Sequence, residues 1–388
     1  MSGLLSAPTL FVSGLLLLVL FIGGLLAYRL KIPDVIIFLL LGIMIGLFME
    51  ESELMHYAAE IGIVLLFFML GMEFPIKVLG RMARDIYIPG LIDLVLSFGV
   101  TFFIALFMGL DVTSAMLVGG VVYATSSSIT AKMLQKSNRL INDESGFMLG
   151  LLIFEDVVAP ILVAVIASMY LSGGISGVQL SIVFVKIAAL IAVAIFLARV
   201  VFTRLRSFIG RLLDEDFFIL FIIGFSLLYA GLALWLGLSE VLGAFLAGIM
   251  FAEVRQSKDL QNHTRNMRDL LIPVFFIYFG TTIDVTEGVP MIPLLSVLLV
   301  WSIVAKIAAG YFGGQIYGLD IKQSWTAGFS LTQRGEFSII IAALAATELK
   351  TFSGMFIFFS AVAGILLFEM APQIAARLAA MRKAGGSP

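Results

Sequence analysis

Two adjacent carboxylates in an apolar stretch have the clearest capacity for chemistry in this sequence. Glu155 and Asp156 lie within Gly150–Pro160 and are flanked on both sides by apolar residues. Neighbouring residues of a helix point about 100° apart, so one acid can face an ion path while the other faces an adjacent helix. Burial favours the neutral form of a carboxylate, and a nearby cation favours the charged form. The pair therefore predicts a site where a proton competes with a cation.

Two other apolar segments contain polar interruptions. Residues 125–130 place hydroxyl side chains at five of six positions, and Gly335 separates Arg334 from Glu336. Serine and threonine compete with a helix for backbone hydrogen bonds, so both segments are candidates for helix breaks that expose carbonyl oxygens to a cation. The alternative interpretation is a continuous helix in which the hydroxyls bond to their own backbone and the small residues pack closely.

Length and composition define the elements that must hold these residues. The chain has 388 residues, of which 61% are hydrophobic and 13% charged, with a net charge of −2 and no cysteine. A soluble domain carries about 25% charged residues, and about 20 apolar residues span a bilayer. The composition predicts an all-α polytopic membrane protein with about 13 transmembrane helices. It excludes cytosolic enzymes, nucleic-acid binders and disulfide scaffolds, and we expect no enzymatic activity.

The predicted transmembrane segments are residues 7–28, 34–49, 55–76, 87–109, 113–134, 147–171, 178–203, 216–237, 239–254, 268–283, 290–316, 323–347 and 352–376. Most lysines and arginines fall in odd-numbered connections or in the C-terminal tail. The exceptions are Lys350 and three residues inside segments, Lys186, Lys306 and Arg334. By the positive-inside rule, this pattern predicts a multi-pass protein of the cell membrane with its N-terminus outside and its C-terminus in the cytoplasm.

The two polar interruptions lie in the fifth and twelfth segments, seven segments apart, so they cross the membrane in opposite directions. Inverted repeats with paired discontinuous helices are a signature of secondary transporters. Lys306 lies midway through the eleventh segment, the repeat mate of the fourth, and is the expected counter-charge for Glu155. Asp93, in the fourth segment, is expected to mark a helix-packing position. For Glu73, Arg334 and Glu336 we expect an ion-pair cluster, because charges within a membrane usually pair.

Several segments in this order resemble one transporter family. They are Ala59–Phe74, the hydroxyl run 124–129, Phe154–Pro160, Pro273–Gly280 and Arg334–Phe337. With them the chain resembles the membrane domain of monovalent cation:proton antiporters of the second subgroup, the Kef-type potassium/proton antiporters and related sodium/proton antiporters.

The resemblance implies inverted repeats with two crossed discontinuous helices and a single exchanger domain over residues 1–388. This domain would comprise a core, roughly residues 87–171 and 290–376, together with dimerisation and linker helices through which two copies form a homodimer. The resemblance also implies that Asp156 carries the cation and the proton, that residues Thr125, Ser126, Ser127 and Ser128 supply oxygen ligands, and that no cofactor is needed beyond the transported ions.

The chain differs from Kef-type members at one position and in one segment. Those members commonly have glutamine where this chain has Glu155, and an acid there resembles electrogenic exchangers, in which a salt bridge to lysine breaks on protonation. Kef-type members also carry a soluble regulatory domain after the membrane region. The chain ends at Pro388 without one, so we expect a separate cytosolic regulatory subunit, no regulation of this kind, or a longer natural chain.

The sequence favours K⁺ as the exchanged cation and leaves Na⁺ possible, because hydroxyl and carbonyl oxygens serve both ions. Two alternatives stay open. A gated cation channel could use the same hydroxyl and carboxylate groups, although a channel requires a continuous pore. A sodium-coupled organic-solute symporter shares the broken-helix architecture but explains the grouping of Glu155, Asp156 and Lys306 less readily.

Overall fold

The computed structural model describes residues 9–30, 32–47, 53–73, 76–172, 177–202, 218–252, 257–286 and 288–385. Within these ranges the fold is all-helical, apart from one isolated antiparallel bridge. The helices are α1 (Thr9–Leu30), α2 (Asp34–Gly46), α3 (Glu53–Met72), α4 (Ile76–Asp93), α5 (Thr101–Phe107), α6 (Val112–Tyr123), α7 (Ser127–Lys136), α8 (Asp143–Ser172), α9 (Gly177–Phe196), α10 (Phe218–Trp235), α11 (Glu240–Ala252), α12 (Ser257–Thr281), α13 (Ile292–Tyr317), α14 (Ile321–Ser330), α15 (Glu336–Ala343) and α16 (Thr347–Gly385). A π-helical segment, Leu94–Val100, joins α4 to α5, and another, Leu197–Phe202, extends α9.

Seven of the described helices are long and apolar enough to cross a membrane, and four shorter helices are also apolar. Each segment predicted from hydropathy contains a helix. Two helices begin 11 residues before their predicted segments: α4 starts at Ile76 rather than at residue 87, and α12 at Ser257 rather than at residue 268. Lysine and arginine are good helix formers, so the helix continues through charged residues that hydropathy assigned to connections.

Four helices meet at two glycine-lined crossings. The first joins α2 to α12, where a Cβ on Gly280 would lie 2.6 Å from the Leu39 carbonyl oxygen and 2.7 Å from the Gly42 Cα. The second joins α3 to α11, where a Cβ on Gly71 would lie 3.0 Å from the Gly248 Cα. The backbones approach this closely only because these positions have no side chain.

The two polar interruptions each fall between short helices. Helix α6 ends at Tyr123 and α7 begins at Ser127, while α14 ends at Ser330 and α15 begins at Glu336. The extended residues of the two interruptions pair with each other through the Thr125–Arg334 bridge, and the Ser126 amide donates to the Gln333 carbonyl at 3.1 Å. A Cβ at Gly335 would collide with the Ser126 side chain, so glycine permits this contact. The buried backbone groups of each break are therefore satisfied partly by the other break.

We predict that Gly71→Ala destabilises the protein by about 1–3 kcal/mol, the usual cost of overpacking, because its methyl group would collide with the Phe245 carbonyl oxygen. The measurement is the melting temperature of the purified protein in detergent. Gly231→Ala in α10 is the matched control, since a Cβ there meets nothing within 4 Å and alanine is the better helix former. Equal melting temperatures for the two variants would contradict this account of the crossing.

Candidate functional site

Glu155 connects a broken helix to a buried lysine. It lies in the middle of α8, where its side chain is buried. One carboxylate oxygen accepts from the Thr125 amide at 2.6 Å, and the other lies 3.0 Å from Lys306 Nζ and accepts from the Thr125 hydroxyl at 3.2 Å. The lysine predicted as counter-charge is thus in direct contact with Glu155. The contact to the Thr125 amide satisfies a backbone donor that the helix break leaves free.

Lys306 has a second carboxylate partner in Asp93. The Asp93 Oδ2 lies 2.7 Å from Lys306 Nζ, and Asp93 Oδ1 accepts from the Ser97 hydroxyl at 2.8 Å. Asp93 is fully buried, so it is part of the charge network rather than only a helix-packing position as expected. The sequence contains a signal for this contact, because Asp93 and Lys306 lie in the fourth and eleventh predicted segments, which are repeat mates.

Arg334 binds carbonyl oxygens where the sequence suggested an ion pair. Its guanidinium is fully buried and donates to the carbonyls of Val122 at 2.6 Å, Thr332 at 3.2 Å and Ser302 at 3.3 Å. Val122 lies in the last turn of α6, whose final carbonyls have no partner within the helix. The positive charge therefore stabilises the end of a helix dipole.

Glu336 starts α15 and accepts from hydroxyls of the opposite break. The Ser126 hydroxyl donates to Glu336 Oε2 at 2.9 Å, and the Ser127 hydroxyl donates to Oε1 at 3.3 Å. Ser126 also caps α7 by accepting from the Ile129 amide at 3.2 Å. The carbonyl of Ala124 accepts from Ser338 at 3.2 Å. The carbonyls of Val122 and Ala124, which directly precede the first break, are therefore both hydrogen-bonded within the protein.

Asp156 has an unused acceptor beside a cavity. It is 4% exposed, and its Oδ1 is buried without a hydrogen-bond partner. The side chain lines a cavity of about 420 Å³ together with Ser127 and Glu336, and Glu73 and Arg268 line the same cavity. A buried carboxylate oxygen without a partner is costly unless a proton or a cation satisfies it. The geometry therefore supplies a carboxylate that can take either.

The remaining predicted site residues are Glu73 and Ser128. Glu73 follows the last residue of α3 and lines the cavity without lying in a helix break. Ser128 belongs to the first turn of α7, and its side chain lies outside the described part of the structure. Lys306 also lies near an aromatic ring, with Nζ 5.3 Å from the ring centroid of Tyr123. Sequence reasoning named Glu155, Asp156 and Lys306 as site residues and did not name Asp93 or Ser97 as such.

Comparison with known proteins identifies relatives along most of the chain. The family profile described as "Sodium/hydrogen exchanger, transmembrane" matches residues 16–372. The ammonium/H⁺ antiporter subunit AmhT of Alkalihalophilus pseudofirmus is 57% identical over 368 residues, which cover 95% of this chain and 94% of the relative. The K⁺/H⁺ antiporter subunit KhtU of Bacillus subtilis is 26% identical, with 94% of each chain covered. These relatives are transporters, not enzymes.

A solved structure gives independent support for the fold. The sodium proton antiporter MjNhaP1 from Methanocaldococcus jannaschii superposes with a TM-score of 0.70, covering 95% of this chain and 99% of that chain, at 19% identity. At this identity the match shows the fold alone. The family profile and AmhT confirm the resemblance inferred from the sequence motifs. The chain is a multi-pass membrane protein of the sodium/hydrogen exchanger family.

Proposed function

We propose that the protein exchanges a monovalent cation for protons across the membrane by alternating access, with Asp156 holding the cation and the proton in turn. The observation that carries the proposal is the buried Asp156 Oδ1, which has no hydrogen-bond partner and belongs to a side chain that lines a cavity. A cation at Asp156 would replace the proton that otherwise neutralises the carboxylate. Competition for one carboxylate couples the two fluxes, because the site cannot hold both ions comfortably.

The charge balance around the breaks supports the same proposal. The buried charged side chains there are four carboxylates and two cations: Asp93, Glu155, Asp156 and Glu336 against Lys306 and Arg334. When all are ionised, the cluster has an excess of negative charge in a low-dielectric region. Such an excess is unfavourable unless protons or cations neutralise it. A channel would need a continuous pore, whereas this cluster lies at two opposed helix breaks.

For the transported cation we favour ammonium and K⁺ over Na⁺. AmhT, at 57% identity, is named an ammonium/H⁺ antiporter subunit, and KhtU a K⁺/H⁺ antiporter subunit. Ammonium and K⁺ have the same charge and similar size, so a site built from carboxylate and hydroxyl oxygens can accept both. Ammonium in addition donates hydrogen bonds, for which Asp156 Oδ1 and the hydroxyl oxygen of Ser127 are acceptors in the cavity.

The proposed transport cycle uses an inverted-repeat architecture with 13 transmembrane helices. Its core, roughly 87–171 and 290–376, moves against dimerisation helices in a homodimer, with the breaks as two crossed discontinuous helices. The two glycine crossings support the repeat, because α11 and α12 lie seven predicted segments after α2 and α3, respectively. A shift by seven segments therefore relates the α2–α12 crossing to the α11–α3 crossing. With the N-terminus outside the cell membrane and the C-terminus in the cytoplasm, the end of the cavity near Glu73 and Arg268 opens to the cytoplasm.

We also propose that a separate cytosolic subunit regulates the protein. AmhT and KhtU are both named as subunits, and each is matched over 94% of its own length by this chain. A regulatory partner encoded on another chain is therefore consistent with both relatives.

We expect Asp156→Asn to abolish cation-dependent collapse of a pH gradient in proteoliposomes, because the amide binds neither a proton nor a cation as the carboxylate does. Fluorescence of a trapped pH indicator measures the exchange. Asp111→Asn is the matched control: this exposed residue caps α6, and asparagine is an equally good cap. Exchange at the wild-type rate in Asp156→Asn would refute the proposed site.

A competition assay tests the choice of cation. With the pH clamped on both sides, radioactive rubidium uptake into proteoliposomes should be inhibited by NH₄⁺ and K⁺ at lower concentrations than by Na⁺ or Li⁺. Clamping is needed because neutral ammonia crosses membranes and would collapse a pH gradient by itself. Stronger inhibition by Na⁺ than by K⁺ and NH₄⁺ would overturn this choice while leaving cation:proton exchange intact.

A further inference from the structure

Asp93 has a position that the proposed exchange at Asp156 does not explain. It is fully buried, and both of its carboxylate oxygens are occupied, one by Lys306 Nζ at 2.7 Å and the other by the Ser97 hydroxyl at 2.8 Å. A buried acid without a purpose would be expensive at this depth, because an ionised carboxylate within the membrane costs several kcal/mol unless it is paired. The burial of Asp93 must therefore be explained by its contact with Lys306.

The helix that carries Asp93 is specialised where the contact is made. Asp93 is followed directly by the π-helical segment Leu94–Val100, a geometry that is rare and common at functional sites. The Trp301 indole of α13 donates to the Leu96 carbonyl at 3.2 Å, and the Thr101 hydroxyl donates to the Ser97 carbonyl at 2.6 Å. Helix α13 thus makes two contacts here: Lys306 binds the last residue of α4, and Trp301 binds the π-helical segment that follows it.

Lys306 is shared between two carboxylates that have different surroundings. Among the described residues, Asp93 is otherwise bound by Ser97 of the adjoining π-helical segment, whereas Glu155 also accepts from the Thr125 amide at the helix break. A movement of the break would therefore act on Glu155 and, through it, on the lysine. If Lys306 depended on Glu155 alone, loss of that contact would leave a buried ammonium group without a counter-charge, and unpaired buried charges are strongly unfavourable.

We propose that Asp93 is a positioning residue that keeps Lys306 paired and in place when the contact between Lys306 and Glu155 loosens during exchange. The inference rests on the proposed cation:proton exchange and assigns to Asp93 a part in it that the motif residues do not supply. With Asp93 in place, Lys306 keeps a counter-charge whether or not it contacts Glu155. The contact between Glu155 and Thr125 can then change without the lysine leaving its place.

The remaining charged and titratable groups near the pair do not substitute for Asp93. The Tyr123 ring lies 5.3 Å from Lys306 Nζ and offers a weak cation–π contact, and Arg334 is bound to carbonyl oxygens. Asp156 lines the cavity, and Glu336 accepts from the hydroxyls of Ser126 and Ser127. Within the described residues, the ion pairs formed by Lys306 are those with Asp93 and Glu155.

The transport test measures the pH dependence of exchange in Asp93→Asn. Removing this negative charge makes the buried charge cluster less attractive to protons, so more acid is needed for the same rate of exchange. We expect the pH of half-maximal exchange to fall by about one unit, within the range that one nearby charge produces. Ser97→Ala, which keeps both charges but loosens Asp93, should shift it less and in the same direction. Asp93→Glu should restore it, and Asp111→Asn should leave it unchanged.

A lower maximal rate in Asp93→Asn with an unchanged pH profile would overturn the proposal, since a structural role alone predicts that result. Should Asp93→Asn fail to fold, Ser97→Ala and Asp93→Glu decide the question, because a wild-type profile in Ser97→Ala together with no rescue by glutamate contradicts positioning. If the wild-type protein exchanges no cation for protons, it is the proposed function that is refuted. The pairing of Lys306 with both acids is then tested by the stability measurement alone.

The stability test is a double-mutant cycle read as melting temperatures in detergent for Asp93→Asn, Glu155→Gln and the double variant. Each single variant leaves Lys306 one carboxylate, whereas the double variant leaves none. The double variant should therefore lose more than the sum of the two single losses. Additive losses would show that neither acid compensates for the loss of the other as a partner of Lys306, and they would overturn the proposal.

Discussion

A positive charge buried in a membrane is costly unless polar or charged partners compensate it, and Lys306 has two counter-charges. Asp93 and Glu155 contact its ammonium group at 2.7 and 3.0 Å, and all three side chains are buried. This network ties α4, α8 and α13 to the break before α7, because Glu155 also accepts from the Thr125 amide. The cost of burying these charges fixes the helices relative to one another. It also leaves Asp156, the adjacent acid, as the carboxylate with a free acceptor.

The two helix breaks depend on each other in a similar way. Thr125 and Arg334 form a short antiparallel bridge, Ser126 and Ser127 donate to Glu336, and Arg334 donates to a carbonyl in the last turn of α6. Each break supplies donors and acceptors that the other lacks. A pair of opposed breaks is therefore stable within a membrane where a single one would leave backbone groups unsatisfied. This arrangement delivers hydroxyls and carboxylates to the cavity beside Asp156.

The sequence was sufficient to predict the helical class, the family and the contact between Glu155 and Lys306, because charges in apolar segments are few and usually pair. It was not sufficient to predict the contact between Asp93 and Lys306, since pairing between distant helices depends on how they pack. Nor did it predict that Arg334 would bind carbonyls, because a helix end offers partial charges that no residue type reveals. The early starts of α4 and α12 were missed since hydropathy reports membrane crossing, not helix length.

Competition between a proton and a cation for Asp156 is the central claim, and proton release on cation binding tests it most directly. Rubidium would be added to the purified protein in weakly buffered detergent solution while a pH indicator is followed. The account predicts release of about one proton per cation bound near the pH where Asp156 is protonated, and no release from Asp156→Asn. Cation binding without proton release, or equal release from Asp156→Asn, would contradict it.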